Sequence, residues 1–296
     1  MRVTLRREFI SSRILRHENP LGLPRSGTPP HWPRAPKKRR IAGVGKVLAV
    51  SSAKGGVGKS TIASNLSLSF ARMGFRAGIL DTDIFGPSIP TIFNLSGEPR
   101  LSENNQLLPL TNYGVKTMSM GYLVPEGSPV VWRGPMVMKA IQQLLHEVDW
   151  GGIDVLVLDL PPGTGDTQLT ISQQVVLDGA LIVSTPHTLA LKDAQKGIST
   201  FEKLNVPILG LVQNMSLYTC PHCSTPSHVF GSASRTRALC DDAGIEFLGD
   251  VPLNPGVVEK EVEDGVRPAL VAEPEGEGAR VFMDFAKKVA GKIGLA

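Results

Sequence analysis

From about residue 46 onward, short runs of almost purely apolar residues recur along the chain, each closed by a small or acidic residue. "KVLAVSS" (residues 46–52), "RAGILDTD" (76–83) and "IDVLVLDLPPG" (153–163) are the first of these. "GALIVSTP" (179–186), "PILGLVQNM" (207–215) and "IEFLGDVP" (245–252) follow. Runs this short and continuous read as buried strands of a parallel sheet rather than half-exposed strands with strict alternation. Between them the period changes. Over residues 59–74, Ile62, Leu66, Phe70 and Met73 fall at helical spacing and the pattern stops at Gly74. Residues 188–205 read as another helix. Strands alternating with helices require right-handed crossovers and cover both sheet faces. The expected fold is therefore α/β, a doubly wound, mostly parallel sheet with helices on both faces, without internal repeats, in one domain over residues 41–296.

Composition changes this picture at the N-terminus. The 296 residues carry a net charge of +4, but residues 1–40 hold eleven Lys/Arg against Glu8 and Glu18. The remainder holds 20 basic and 25 acidic residues, and a mildly acidic body argues against nucleic acid as a partner. "VTLRREFISSRILR" winds as a helix with Phe9, Ile10 and Ile14 beside arginines, the composition of a mitochondrial presequence. A basic arm with six prolines follows, and residues 37–40 also read as a nuclear signal. The expectation is a targeting segment and arm over residues 1–40, ahead of a domain residing in the mitochondrial matrix. No run approaches the roughly 18 residues a membrane-spanning helix needs.

The richest local signal is "SSAKGGVGKSTIASNL" (residues 51–66). A glycine loop between a strand and a helix aims backbone N–H groups and a helix N-terminus at one point, a geometry that holds phosphate. Gly55, Gly56, Val57 and Gly58 would form the loop, Lys59 would reach the β- and γ-phosphates of ATP, and Ser60 would ligate Mg²⁺, with Thr61 beside it. Ala53 stands where the usual pattern has its first glycine. Two acidic strand ends, Asp81/Asp83 and Asp159, lie where an open parallel sheet binds ligands. Asp81 can also simply cap its strand end. Asp166 reads as the N-cap of a helix beginning at Thr167. Asn214 closes the "GLVQN" run and can pair with a purine edge or merely form a turn.

A second lysine, Lys54, sits at the loop entrance. This resembles the deviant phosphate loop of the MinD/ParA/Mrp class of P-loop ATPases, in which that lysine reaches across a dimer interface to the partner's nucleotide. The resemblance implies that Lys54 acts in trans in a homodimer, that Asp159 holds Mg²⁺ through water, and that Asp83 orients the attacking water. It places Asn214 where family members contact adenine.

Cys220 and Cys223, in "YTCPHCSTPSHVFG", form a C-x-x-C pair on an insertion near residues 216–230. Two thiolates grip one metal centre, but a closed site takes four ligands. Cys240, in an apparent helix, reads as a buried structural thiol. Two ligands per chain become four when two chains meet. With His222 and His228 nearby, spacing alone leaves zinc and iron–sulfur equally open, and a redox C-x-x-C is a third reading. Together with "DIFGPSIP", "PPGTGD" and "VVWRGPMVMKAI", the pair is similar to that of the Mrp/nucleotide-binding-protein-like (NUBPL) iron–sulfur carrier ATPases, over residues 41–296. That family implies a [4Fe–4S] cluster bridging Cys220 and Cys223 of two subunits, and its mitochondrial branch supplies clusters to apoproteins of respiratory complex I. ATP hydrolysis would be slow and coupled to transfer.

Three alternatives belong to other classes. One is a positioning ATPase of the MinD/ParA kind, for which the C-terminal "GARVFMDFAKKVAGKIG" could lie peripherally on a membrane through Val281, Phe282, Phe285, Val289 and Ile293, although packing of that face on the sheet is the commoner arrangement. Another is a zinc-bridged dimeric ATPase switch. A dethiobiotin-synthetase-like ligase would need a substrate pocket that no motif marks.

Overall fold

In the computed structural model, residues 38–123, 134–163, 165–253, 259–262 and 265–295 are described. In chain order the first half holds β1 (Val44–Ser51), α1 (Lys59–Arg72), β2 (Ala77–Asp81), α2 (Ile89–Ile92), β3 (Leu110–Asn112), β4 (Val115–Ser119), α3 (Gly134–His146) and β5 (Ile153–Asp159). Then come α4 (Asp166–Gln174), β6 (Gly179–Ser184), α5 (Thr188–Lys203), β7 (Ile208–Asn214), β8 (Tyr218–Thr219), β9 (Pro226–Ser227) and α6 (Ser234–Ala243). The chain closes with β10 (Phe247–Val251), β11 (Glu259–Val262), β12 (Gly265–Pro268), α7 (Ala269–Ala272) and α8 (Glu277–Ile293).

The six apolar runs become β1, β2, β5, β6, β7 and β10, and they lie side by side in an eight-stranded sheet of order β10-β7-β6-β1-β5-β2-β4-β3. All pairings within it are parallel except β3 with β4. The continuous apolar runs are explained by burial on both faces. Leu48, Val50, Val155 and Val157 face one core with Ile62, Leu66 and Phe70 of α1 and Phe282 and Val289 of α8. Their neighbours Val47, Ala49, Leu156 and Leu158 face a second core with Ile141 of α3, Ile171 of α4 and Phe201 of α5. The doubly wound expectation is met.

Four local features have physical causes. The edge pair β3–β4 turns through Tyr113 and Gly114, at φ 51° and 77°. A two-residue turn with both φ positive matches the twist of a hairpin, but tyrosine there is a weak sequence signal. Helix α1 is buried on nearly every side from Ile62 to Phe70, so its polar positions satisfy themselves locally: Ser67 Oγ donates to the Ser64 carbonyl and Ser69 Oγ to that of Asn65. Helix α4 starts at Asp166 with Gly165 as cap and no side-chain cap bond, so Asp166 is not the N-cap. Its charge instead sits in the first turn, where the helix dipole favours it. Finally, α8 places Phe282, Phe285, Val289 and Ile293 in the core, which removes the apolar face a membrane would need.

The targeting helix and most of the arm fall in residues 1–37, outside the described residues. Arg39 belongs to the fold: its N–H donates to the Gln174 carbonyl at 2.7 Å, and its carbonyl accepts from the Val176 N–H at 3.0 Å. Among the described residues no helix is long and apolar enough to cross a membrane.

Candidate functional site

The site gathers at the carboxyl ends of β1, β2, β5 and β7. Adjacent strands in register put Val50 beside Asp159 and Asp159 beside Asp81, so acids distant in sequence meet there. The loop from β1 to α1 turns through Gly56 and Gly58, at φ +76° and +83°, a region in which a side chain is strained. Around Gly56 a Cβ would meet nothing within 4 Å, so the backbone there is open to a large ligand. At Gly58 a Cβ would collide with the side-chain amide of Asn214.

Lys59 and Asp159 form an ion pair at the floor of this loop, with Lys59 6% and Asp159 0% exposed. Lys59 Nζ also lies 3.2 Å from Ser60 Oγ. Burial pushes the Asp159 carboxyl up; the Lys59 ammonium and the Ser60 hydroxyl pull against it. Its Oδ2 is buried and has no hydrogen-bond partner among the described residues. An orphaned carboxylate oxygen beside a serine hydroxyl and a phosphate loop is a donor set suited to a hydrated Mg²⁺. Ser60 and Thr61 are partly exposed, while Lys54 is exposed and its ammonium has no partner among the described residues.

Asp81 is buried at 1% exposure and does more than end its strand. Its Oδ1 accepts from the Asp83 N–H at 3.0 Å. Its Oδ2 accepts from the N–H groups of Ser88 and Ile89 at 3.1 and 3.3 Å and from Ser119 Oγ at 3.1 Å. Burial, and then the charge of Asp159, push its carboxyl up to about 7. Asp83 is half-buried on the loop these bonds close.

Asn214 is 3% exposed, and its Nδ2 donates to the Val57 carbonyl at 2.9 Å. Asn214 therefore does more than form a turn: its amide nitrogen braces the phosphate loop. Three further contacts escaped sequence reasoning. Thr82 donates both its N–H (3.0 Å) and its Oγ1–H (2.7 Å) to the Asp159 carbonyl. The Gly163 N–H donates to the Ser52 carbonyl at 2.9 Å, and Gln168 Nε2 donates to Ser51 Oγ at 2.7 Å. These join residues 77 to 117 positions apart, where no local motif signals them.

Directly after β7, β8 and β9 form an antiparallel ribbon that presents the cysteine pair. Its turn is closed by the Cys220 N–H donating to the Thr225 carbonyl (3.1 Å) and the Ser224 N–H donating to the Cys220 carbonyl (2.9 Å). Cys220 is half-buried and Cys223 exposed. Cys223 Sγ lies 3.2 Å from Thr225 Oγ1. Hydrogen bonding to the Thr225 hydroxyl, then to its backbone and to Cys220, holds the Cys223 thiol below its usual range. Two thiols on one tight turn, one half-buried and one exposed, can grip a soft metal centre from one side. His222 and His228 are exposed, and among the described residues no three His, Cys, Asp or Glu side chains gather as a metal site. Cys240 is 1% exposed, packed in the second core, and burial pushes its thiol up to about 11.

Comparison with known proteins agrees with this geometry. The model of a family described as the NUBPL iron-transfer P-loop NTPases, within the ParA group, matches residues 43–290. The iron–sulfur cluster transfer protein NUBPL of Mus musculus is 49% identical over 260 residues, 87% of this chain and 81% of that protein. An Arabidopsis thaliana iron–sulfur protein described as required for NADH dehydrogenase, mitochondrial, is 46% identical over 84% of this chain and 79% of its own. Among solved structures, the nucleotide-binding protein of Archaeoglobus fulgidus in complex with ADP superposes with a TM-score of 0.63 at 32% identity, covering 83% of this chain and 88% of that one.

Proposed function

Since this chain belongs to the NUBPL iron-transfer P-loop NTPase family, we propose that it is an ATP-dependent carrier that binds a [4Fe–4S] cluster between two copies of itself and delivers it to apoproteins. Iron–sulfur subunits of respiratory complex I in the mitochondrial matrix are the recipients. The carrying observation is the adjacency of two functions along the chain: Asn214, the last residue of β7, braces the phosphate loop, and the cysteine ribbon begins four residues later at Tyr218. A change at the nucleotide thus has a short covalent path to the cargo.

The roles follow from the chemistry of each group. The loop amides from Gly55 to Gly58 cradle the phosphates of ATP, and Lys59 leaves Asp159 to meet the β- and γ-phosphates. Ser60 and the free Oδ2 of Asp159 would hold Mg²⁺, which when bound neutralises charge on the phosphates. Asp83 orients the attacking water, and Asn214 borders the adenine. The partner's Lys54 adds positive charge where negative charge develops, so that hydrolysis waits for dimerisation. Each chain supplies Cys220 and Cys223, so two chains together complete the four-thiolate set that holds the cluster, which is the cargo.

The test is anaerobic purification with iron, sulfide and zinc analysis beside a visible spectrum, followed by transfer to an apo iron–sulfur acceptor with and without ATP. One [4Fe–4S] cluster per two chains, lost to the acceptor in an ATP-dependent manner, is expected. Stoichiometric zinc without sulfide would overturn the carrier reading in favour of a zinc-bridged switch.

A further inference from the structure

The proposed mechanism leaves one buried acid unused. Asp81 is 1% exposed, in register with Asp159 on the neighbouring strand, and among the described residues forms no ion pair, yet it receives four hydrogen bonds. A buried carboxylate is costly to desolvate, and an acid retained at such a place must satisfy several donors at once. Here the donors define its purpose. The Asp83 N–H lies at the start of the loop that leaves β2, and the Ser88 and Ile89 N–H groups lie at its end, where α2 begins. One side chain therefore closes both ends of the loop between them.

Two further anchors hold the same loop. Thr82 is doubly bonded to the Asp159 carbonyl on β5. Pro87 and Pro90 pack so closely on Gly121 that a Cβ there would come within 3.2 and 2.8 Å of them. Ser119 Oγ joins these walls: it donates to Asp81 Oδ2 at 3.1 Å and accepts from the Gly121 N–H at 3.0 Å. Between the anchors the loop carries Asp83, half-buried, and Phe85, 76% exposed.

We propose that Asp81 is a positioning residue for ATP hydrolysis: its carboxylate clamps residues 82–89 so that Asp83 is held at the distance an attacking water needs. This rests on the reading of Asp83 as the water-orienting group. The Asp81–Asp83 contact is an i to i+2 side-chain-to-backbone bond, which fixes the chain direction at Asp83 itself. A group that orients a nucleophile is sensitive to small displacements, whereas phosphate affinity depends on the separate loop around Gly56 and Lys59.

The experiment compares Asp81→Asn, Asp83→Asn and Ser119→Ala in the full chain, measuring kcat and KM for ATP with Mg²⁺ alongside backbone amide exchange at Asp83, Ser88 and Ile89. Asp81→Asn turns an N–H₂ group toward at least one donor; kcat should fall about 10- to 100-fold with KM within about 3-fold. Exchange at the three amides should accelerate. Ser119→Ala removes one of the four bonds and should lower kcat several-fold in the same direction, which keeps the inference testable should Asp81→Asn fail to fold. If Asp83→Asn hydrolyses ATP at the wild-type rate, the reading of Asp83 fails. If Asp83→Asn is inactive while a folded Asp81→Asn keeps wild-type kcat, or loses only KM, the clamp is wrong. An unfolded Asp81→Asn together with unchanged kcat in Ser119→Ala overturns it as well.

Discussion

Lys59 and Asp159 are 100 residues apart in sequence and form an ion pair at 6% and 0% side-chain exposure. Removing one partner of such a pair strands a charge in low dielectric, typically at a cost of about 3–5 kcal/mol, whereas replacing both by apolar groups is often neutral. Lys59→Ala should therefore lower both thermal stability and ATP affinity, the latter about 10- to 100-fold for a lost charge-assisted phosphate contact. The double variant Lys59→Met/Asp159→Leu should recover most of the stability and none of the affinity. Denaturant melts paired with nucleotide titration check this; recovery of binding in the double variant would show that Lys59 does not touch phosphate.

Lys54 should behave differently, because its proposed target is on another subunit. At concentrations where the chain is monomeric, Lys54→Ala should bind ATP within a few-fold of wild type, while ATP-dependent dimerisation and hydrolysis fall together. Lys54→Arg should not fully rescue, since a planar guanidinium does not replace a compact ammonium. Sedimentation with ATP and single-turnover hydrolysis are the measurements. A loss of monomer binding as severe as that of Lys59→Ala would make Lys54 an ordinary contact within its own chain.

Gly58 and Asn214 should be energetically coupled. Gly58→Ala places a side chain at φ +83°, which costs about 1–2 kcal/mol, and drives its Cβ into the Asn214 amide. Asn214→Ala removes that obstacle but leaves the Val57 carbonyl without its partner, at about 1–3 kcal/mol. The double variant should be less damaged than the sum of the two, with a coupling of about 0.5–3 kcal/mol in a denaturation cycle. Strict additivity would mean that the amide does not occupy the space above Gly58.

The three thiols should separate by reactivity. Hydrogen bonding lowers the Cys223 pKa and so raises its thiolate fraction near neutral pH, while burial pushes Cys240 up to about 11 and leaves it protonated. In the reduced, cluster-free protein, iodoacetamide should modify Cys223 first and Cys240 only on unfolding. Thr225→Val should slow the reaction at Cys223. Cys220→Ala or Cys223→Ala should each abolish cluster retention with ATP binding intact, and Cys240→Ala should retain the cluster. Wild-type iron content in both C-x-x-C variants would rule out a bridging cluster.

Truncation should locate the start of the domain to within a few residues. Removing residues 1–37 should leave stability unchanged and abolish mitochondrial import. Removing residues 1–40 also deletes the two backbone hydrogen bonds of Arg39 to the end of α4, costing about 1–3 kcal/mol together. Equal melting temperatures for the two truncations would show that the Arg39 contacts contribute nothing, and import of the shorter chain would refute the targeting reading.

What the sequence by itself determined is whatever depends on periodicity and on residues adjacent in the chain. The apolar runs ending at Asp81, Asp159 and Asn214 specified strands buried on both faces, because a residue's neighbours decide whether a segment can be hidden on two sides. The glycine loop before Lys59 and the Cys220–Cys223 pair were legible for the same reason: their chemistry needs only a few consecutive positions. Tertiary structure decided which strand ends meet. The Lys59–Asp159 pair, the Asn214 brace on Val57, the Thr82 bonds to Asp159 and the Gln168–Ser51 bond span 77 to 157 residues. They exist because parallel registry brings the carboxyl ends of β1, β2, β5 and β7 to one edge. Even Asp81, whose acidity and place were plain, became a clamp only when α2 and Ser119 folded against it, and Asp166 lost its capping role because Gly165 took that position. A side chain's donors and acceptors are local, but the partners that satisfy them are supplied by the packing of distant segments.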